Sequence, residues 1–151
     1  MQRRTFMKSA GIGLAAASAA TVAQAGNGPE VKWRLASSFP KSLDTIYGAA
    51  EQLAKRVAQL TDNKFQIRVF AGGELVPGLQ VLDAVSQGTV ECGHSAGYYY
   101  VGKNKAFAFD TAMPFGLTAR QQNAWLYYGG GLELLRDFYK GHGVVNFPGG
   151  N

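Results

Sequence analysis

The chain has 151 residues, with a single cysteine, Cys92, and only two histidines, His94 and His142. One cysteine excludes an internal disulfide, so stability has to come from an ordinary apolar core. A metal reading of Cys92 and His94 lacks a third and fourth ligand at a suitable spacing. Long apolar runs are also missing. The uncharged stretch from Ser9 to Ala23 is rich in alanine and glycine, and it is too short and too weakly apolar to span a bilayer comfortably. No basic run of the kind that grips nucleic acid occurs, which sets nucleic acid aside as a partner. There is no G-x-S-x-G elbow and no phosphate-loop lysine, and "GGELVPG" and "GGG" lack the spacing of a dinucleotide fingerprint.

What the first residues do contain is an export signal. Arg3, Arg4 and Lys8 precede the uncharged run, which closes on Ala23-Gln24-Ala25, small residues at the two positions a signal peptidase reads. Cleavage after Ala25 is expected. The adjacent arginines of "RRTFMK" point to the twin-arginine route. This segment carries three of the fifteen Lys and Arg and none of the ten Asp and Glu, which leaves a balance of +2 over 26–151. The basic character is therefore partly a property of the signal. At the other end, "VVNFPGGN" resembles a strand running into a loop, and the expectation is an N-terminal piece of a longer protein.

The middle alternates between two periodicities. Val31, Trp33 and Leu35 alternate with Lys32 and Arg34, which predicts a strand ending in "SSFP". Ile46, Ala50, Leu53, Val57 and Leu60 predict one apolar face of a helix, with Ser42 as its N-cap. "TDNK" predicts a turn, "FQIRVF" a second strand, and "LQVLDAVSQG" a short helix closed by Gly88. "TVECGHSAG" predicts a third strand. Two further helical pieces follow, the first capped by Thr118 and broken at Gly129 to Gly131, and "GVVNF" is a further strand candidate. Strand–helix–strand–helix–strand order predicts an α/β fold with a mostly parallel sheet flanked by helices. Ligands in such sheets sit beyond the carboxyl ends of the strands, where "SSFP" and "AGYYY" gather.

Tyr98, Tyr99 and Tyr100 stand in a row between Gly97 and Gly102. A tyrosine in a cleft offers a small polar ligand both a ring and a hydroxyl, and on pattern alone a cleft and a packed core are equal readings. If the third strand continues, Tyr98 and Tyr100 share one face and rank above Tyr99. Loop position adds Ser37, Ser38 and Phe39. The runner-up is an exported α/β enzyme using Cys92 and His94, although residues on one strand rarely give a thiolate and its base the angled approach they need. No arginine is placed in the cleft: Arg34 is read on a strand between buried positions, Arg120 and Arg136 on helices.

Three stretches carry a resemblance: "VKWRLASSFPKSLDTIYGAAEQLAKRV", "FQIRVFAGGELVPGLQVLDAVSQGTVECGHSAGYYYVGKNKAFAFDTAMPFGL" and "TARQQNAWLYYGGG". Together they resemble the extracytoplasmic solute-binding proteins of tripartite ATP-independent periplasmic (TRAP) transporters. The resemblance is strongest to the subgroup for α-keto acids such as pyruvate and related monocarboxylates such as lactate. It implies the N-terminal lobe of a fold like the type II periplasmic binding proteins, with no chemistry on the solute. It also implies a membrane permease as partner, a periplasmic location, and a full-length protein that can form a homodimer. Sodium or calcium often bridges the carboxylate in this subgroup. The arginine, glutamine, acidic residue and tryptophan that hold anion and cation lie downstream of Asn151, so no metal ligand is expected within 26–151. The resemblance places the tyrosine run and Asn151 at the solute, and the stretch alone is expected to have no useful keto-acid affinity.

Overall fold

The structure, a computed structural model, describes residues 30–111 and 113–150. The expected signal over 1–25 and the candidate Asn151 lie outside those residues. The central strand is β1 (Val31–Ser37), with β2 (Phe65–Phe70) on one side and β3 (Cys92–His94) on the other, both parallel to it. Register pairs Val31 with Phe65 and Ala36 with Phe70, while Leu35 meets Cys92 and Ser37 meets His94. Parallel neighbours need crossovers. α1 (Asp44–Leu60) makes the first, and a 3-10 turn (Gly78–Gln80) leading into α2 (Val81–Ser86) makes the second.

Local chemistry explains the breaks. Asp62 and Asn63 turn the chain with φ of 49° and 61°, a left-handed conformation that short polar side chains tolerate. Thr61 Oγ1 donates to Val57 O at 2.8 Å and accepts the Phe65 amide at 3.1 Å, which links the end of α1 to the start of β2. Gly88 closes α2 at φ 69°, as its sequence position predicts.

The expected helix face is rotated. Tyr47 and Ala50 are buried, with Ala54 and Val57 half-buried behind them, while Ile46, Leu53 and Leu60 are exposed. Spacing alone does not tell these two adjacent lines apart, because each repeats at helical intervals. Ser42 is not the cap either: Leu43 holds that position without a side-chain hydrogen bond, and Asp44 supplies the acidic group of the first turn. β1 is buried only from Leu35 onward.

Arg34 is therefore exposed rather than lodged between buried positions. Its Nη2 and Nε meet Glu91 Oε1 and Oε2 at 2.7 and 3.1 Å, and its backbone amide donates to Oε2 at 2.7 Å. Nη2 also donates to Thr89 O at 2.8 Å. The guanidinium clips the entry of β3 onto β1. These bonds lower the Glu91 carboxyl from an ordinary 4.5 to about 2, the Arg34 side-chain bond being the largest cause. A depressed carboxyl pKa stabilises the fold above the unfolded value, and that contribution fades as pH falls from about 4.5 towards about 2. Glu91→Gln should therefore lower the urea midpoint at neutral pH and leave it level with the parent near pH 2. An equal deficit at both pH values would rule out the ion pair as the cause.

Beyond β3 the chain makes two 3-10 segments, Gly97–Tyr100 and Lys105–Asp110, then α3 (Ala119–Tyr128) and α4 (Gly131–Lys140). Thr118 caps α3 in a reciprocal box with Gln121, and Gly130 breaks the two helices apart at φ 80°. The "GVVNF" stretch forms no strand: Val144 packs on the core, while Val145 and Phe147 face outward. Leu82, Tyr100, Phe107, Leu126, Leu135 and Tyr139 make one core cluster. Ala36, Val81, Ala84 and Val90 make a second between the sheet and α2.

Candidate functional site

Three loops meet at the carboxyl ends of the strands: Ser38–Phe39 after β1, Ala71–Pro77 after β2 and Ser95–Tyr100 after β3. Their approach is close enough to require glycine. A Cβ on either Gly72 or Gly78 would stand 2.8 Å from Ser38 O, so the backbone of Ser38 is held between two chains that carry no side chain there. Glu74 fastens the second loop by accepting the Ala71 amide at 2.9 Å and pairing with Lys41 at 2.8 Å.

A line of hydroxyls joins the first loop to the third. Ser38 Oγ lies 2.7 Å from both Gly78 O and Ser95 Oγ, and Ser95 Oγ lies 2.7 Å from the Tyr100 hydroxyl. Leu82 N–H donates to that hydroxyl at 3.2 Å. The direction of the line follows from valence. A carbonyl only accepts, so Ser38 gives its one proton to Gly78 O; Ser95 then donates to Ser38, and Tyr100 to Ser95.

The tyrosine run does not extend β3. Residues 97–100 turn as a 3-10 segment, so the period-two argument that put Tyr98 and Tyr100 on one face does not apply. Tyr98 is 41% exposed and Tyr100 only 3%. Tyr100 sits in the core, edge-on to Phe107 at 5.5 Å, with its hydroxyl committed to the internal line. Tyr99 lies between these extremes. Its ring meets Tyr98 at 4.8 Å and Phe39 at 5.8 Å, and Phe39 meets His94 at 5.1 Å. Burial, with Tyr98 beside it, pushes the Tyr99 phenol up, so it stays protonated at neutral pH. The structure thus groups Tyr98, Tyr99 and Phe39 in one aromatic row and puts Ser38 and Tyr100 behind it.

The pair proposed for an enzyme does not form one. His94 Nδ1 lies 3.1 Å from Ser37 Oγ, and the Cys92 thiol is directed at Arg34 O, 3.7 Å away. Burial, helped by the Glu91 charge, pushes the Cys92 thiol up to about 11, the opposite of what a nucleophile needs. Among the described residues no group of three His, Cys, Asp or Glu is placed to hold a metal ion, and no helix is long and apolar enough to cross a membrane. Sequence reasoning missed the Gly72 and Gly78 contacts and the Ser37–His94 bond. The only visible signal was glycine in "AGG" and "PG" at positions that cap no helix.

Comparisons with known proteins fit this arrangement. Residues 36–149 match the family model of bacterial extracellular solute-binding proteins, family 7, DctP. A monocarboxylate 2-oxoacid-binding periplasmic protein of Nostoc sp. is 51% identical over 157 aligned positions, which take in 100% of this chain and 43% of the relative. A TRAP transporter solute-binding protein of Bordetella bronchiseptica, solved as a mixed-occupancy dimer with copurified calcium and picolinate in one active site, is 61% identical. It superposes with a TM-score of 0.76 over 78% of this chain and 35% of its own. A TRAP periplasmic solute-binding protein of Colwellia psychrerythraea with bound calcium and pyruvate is 35% identical, TM-score 0.76, over 79% of this chain and 36% of its own. The chain thus spans less than half the length of each of these relatives. With the fold from Ala36, near the end of β1, to the end of α4 inside the matched span, the chain belongs to the DctP family of bacterial extracellular solute-binding proteins.

Proposed function

We propose that this chain supplies the first-lobe wall of an extracytoplasmic receptor. That receptor captures a small monocarboxylate, a 2-oxo acid such as pyruvate or a relative such as lactate, and delivers it to a TRAP permease. The observation that carries the reading is the aromatic row Tyr98–Tyr99–Phe39 at the carboxyl end of a parallel sheet. The likeness to receptors whose solved forms hold pyruvate or picolinate supports the choice of ligand.

In this reading Tyr98 and Tyr99 face the solute, Phe39 backs them, and Ser38 and Tyr100 hold the loops in place. Asn151 belongs to the solute rim. The charge of the carboxylate is met outside this stretch. Arg34 is tied to Glu91 and Lys41 to Glu74, and a two-oxygen anion is best held by a forked guanidinium or a bridging cation. Sodium or calcium fills the latter role in the full-length protein, which works in the periplasm after removal of residues 1–25 through twin-arginine export, and which can pair as a homodimer.

Calorimetric titration of the full-length exported protein tests this. Pyruvate is expected to bind with a Kd on the order of micromolar, more tightly with calcium or sodium than after chelation. Absence of saturable binding for pyruvate, other 2-oxo acids and lactate, with either cation present, would sink the reading.

A further inference from the structure

His94 is the last residue of β3, at the sheet end where open α/β folds hold ligands. Its ring lies edge-on to Phe39 and so closes the row that runs through Tyr99 to Tyr98. Ser37, 1% exposed, already accepts the Phe39 amide proton at 3.1 Å. An amide only donates, so the serine still has its own proton to place, and His94 Nδ1 at 3.1 Å is the acceptor within reach. The other tautomer would aim a second donor at Ser37 Oγ and leave a buried hydroxyl proton without an acceptor. Nδ1 is therefore bare and Nε2 carries the hydrogen. Asn146 Oδ1 is the one buried side-chain polar atom without a partner among the described residues, so Nε2 is not sealed in the interior. Burial also lowers the imidazole pKa, which keeps the ring neutral at physiological pH.

We infer that His94 is a solute-contacting residue: Ser37 fixes its tautomer so that Nε2–H is offered, beside the Tyr99 and Phe39 rings, to an oxygen of the bound 2-oxo acid. This rests on the receptor reading above and adds a hydrogen-bond donor to a wall otherwise made of rings and phenols. A neutral donor suits a keto or carboxylate oxygen whose charge is balanced elsewhere. It adds orientation without adding a second net charge.

Two measurements on the full-length protein decide it, with pyruvate and calcium as the probe. Proton–nitrogen correlation NMR of the imidazoles, with His94 assigned by its loss in His94→Gln, should show Nε2 protonated and Nδ1 bare at neutral pH. Pyruvate should shift the Nε2 signal, and Ser37→Ala should mix the tautomers. Calorimetry should give His94→Gln, which keeps an N–H donor, an affinity within about threefold of the parent, and His94→Leu one about tenfold weaker. A protonated Nδ1, or a His94→Leu variant that binds pyruvate as tightly as the parent, overturns the inference while leaving the receptor intact. A parent protein that binds no 2-oxo acid overturns the receptor reading itself, and the role of His94 falls with it.

Discussion

Phe107→Ala is expected to cost about 3–5 kcal/mol of folding stability, read as a fall in the urea midpoint with little change in slope. Phe107 is 0% exposed. Its ring meets four others edge-on or tilted: Phe138 at 4.8 Å, His142 at 5.0 Å, Tyr139 at 5.4 Å and Tyr100 at 5.5 Å. These rings come from α4, the segment just after it, and the tyrosine turn. Removing Phe107 leaves a hole that no single neighbour can fill, because each is held by its own element. The loss is a large share of a domain's net stability of about 5–15 kcal/mol. It should also reach the site, since Tyr100 leans on Phe107 and anchors the turn that presents Tyr98 and Tyr99. A cost below about 1 kcal/mol, the level of a tolerated core swap, would mean that α4 is not the support of the turn.

The sheet was legible because its signals are local. Val31-Trp33-Leu35 and Phe65-Ile67-Val69 carry period two, the helix between them carries a helical period, and their order predicts the parallel crossover that the register bears out. Asp62-Asn63 and Gly88 stop the elements where their backbone chemistry says they should. The tyrosine turn was not legible, because a short 3-10 segment has no hydrophobic period of its own and period two was carried past the end of β3. Ser38 N–H to His94 O, at 2.8 Å, marks that end.

The site was legible only as a location. Strand order put it at the carboxyl edge, and the aromatic residues marked it. The links that build it join residues far apart in the chain: Ser38 to Gly78, Ser38 to Ser95, and Ser37 to His94. Nothing in a single sequence signals such pairings, and serines in a loop read as ordinary turn residues. The same holds for Arg34, whose partner Glu91 became visible only when β3 was laid beside β1.

Gly97→Ala should be the most damaging of the conservative changes near the tyrosines. A Cβ at Gly97 would overlap the Asp110 carboxylate and the carbonyl oxygen of Phe107. The carboxylate is not loose: it accepts from the Tyr139 hydroxyl at 2.6 Å and from Thr111 Oγ1 at 2.8 Å. The carbonyl is backbone and shifts only if the 105–110 segment shifts. The methyl group thus has to push the 97–100 turn away from that segment, at or above the upper end of the ~1–3 kcal/mol that overpacking costs. Tyr98 and Tyr99 move with the turn, so pyruvate affinity of the full-length protein should fall together with stability. Gly102, on the other side of the tyrosines, is the control. A Cβ there meets nothing within 4 Å, so Gly102→Ala should stay within about 0.5 kcal/mol of the parent. Two alanines five positions apart then separate space from flexibility. If both variants lose stability and affinity alike, the run needs glycine for mobility and the contact with Asp110 is incidental. If only Gly97→Ala fails, the tyrosines are held by the close approach of the turn to Asp110 and Phe107.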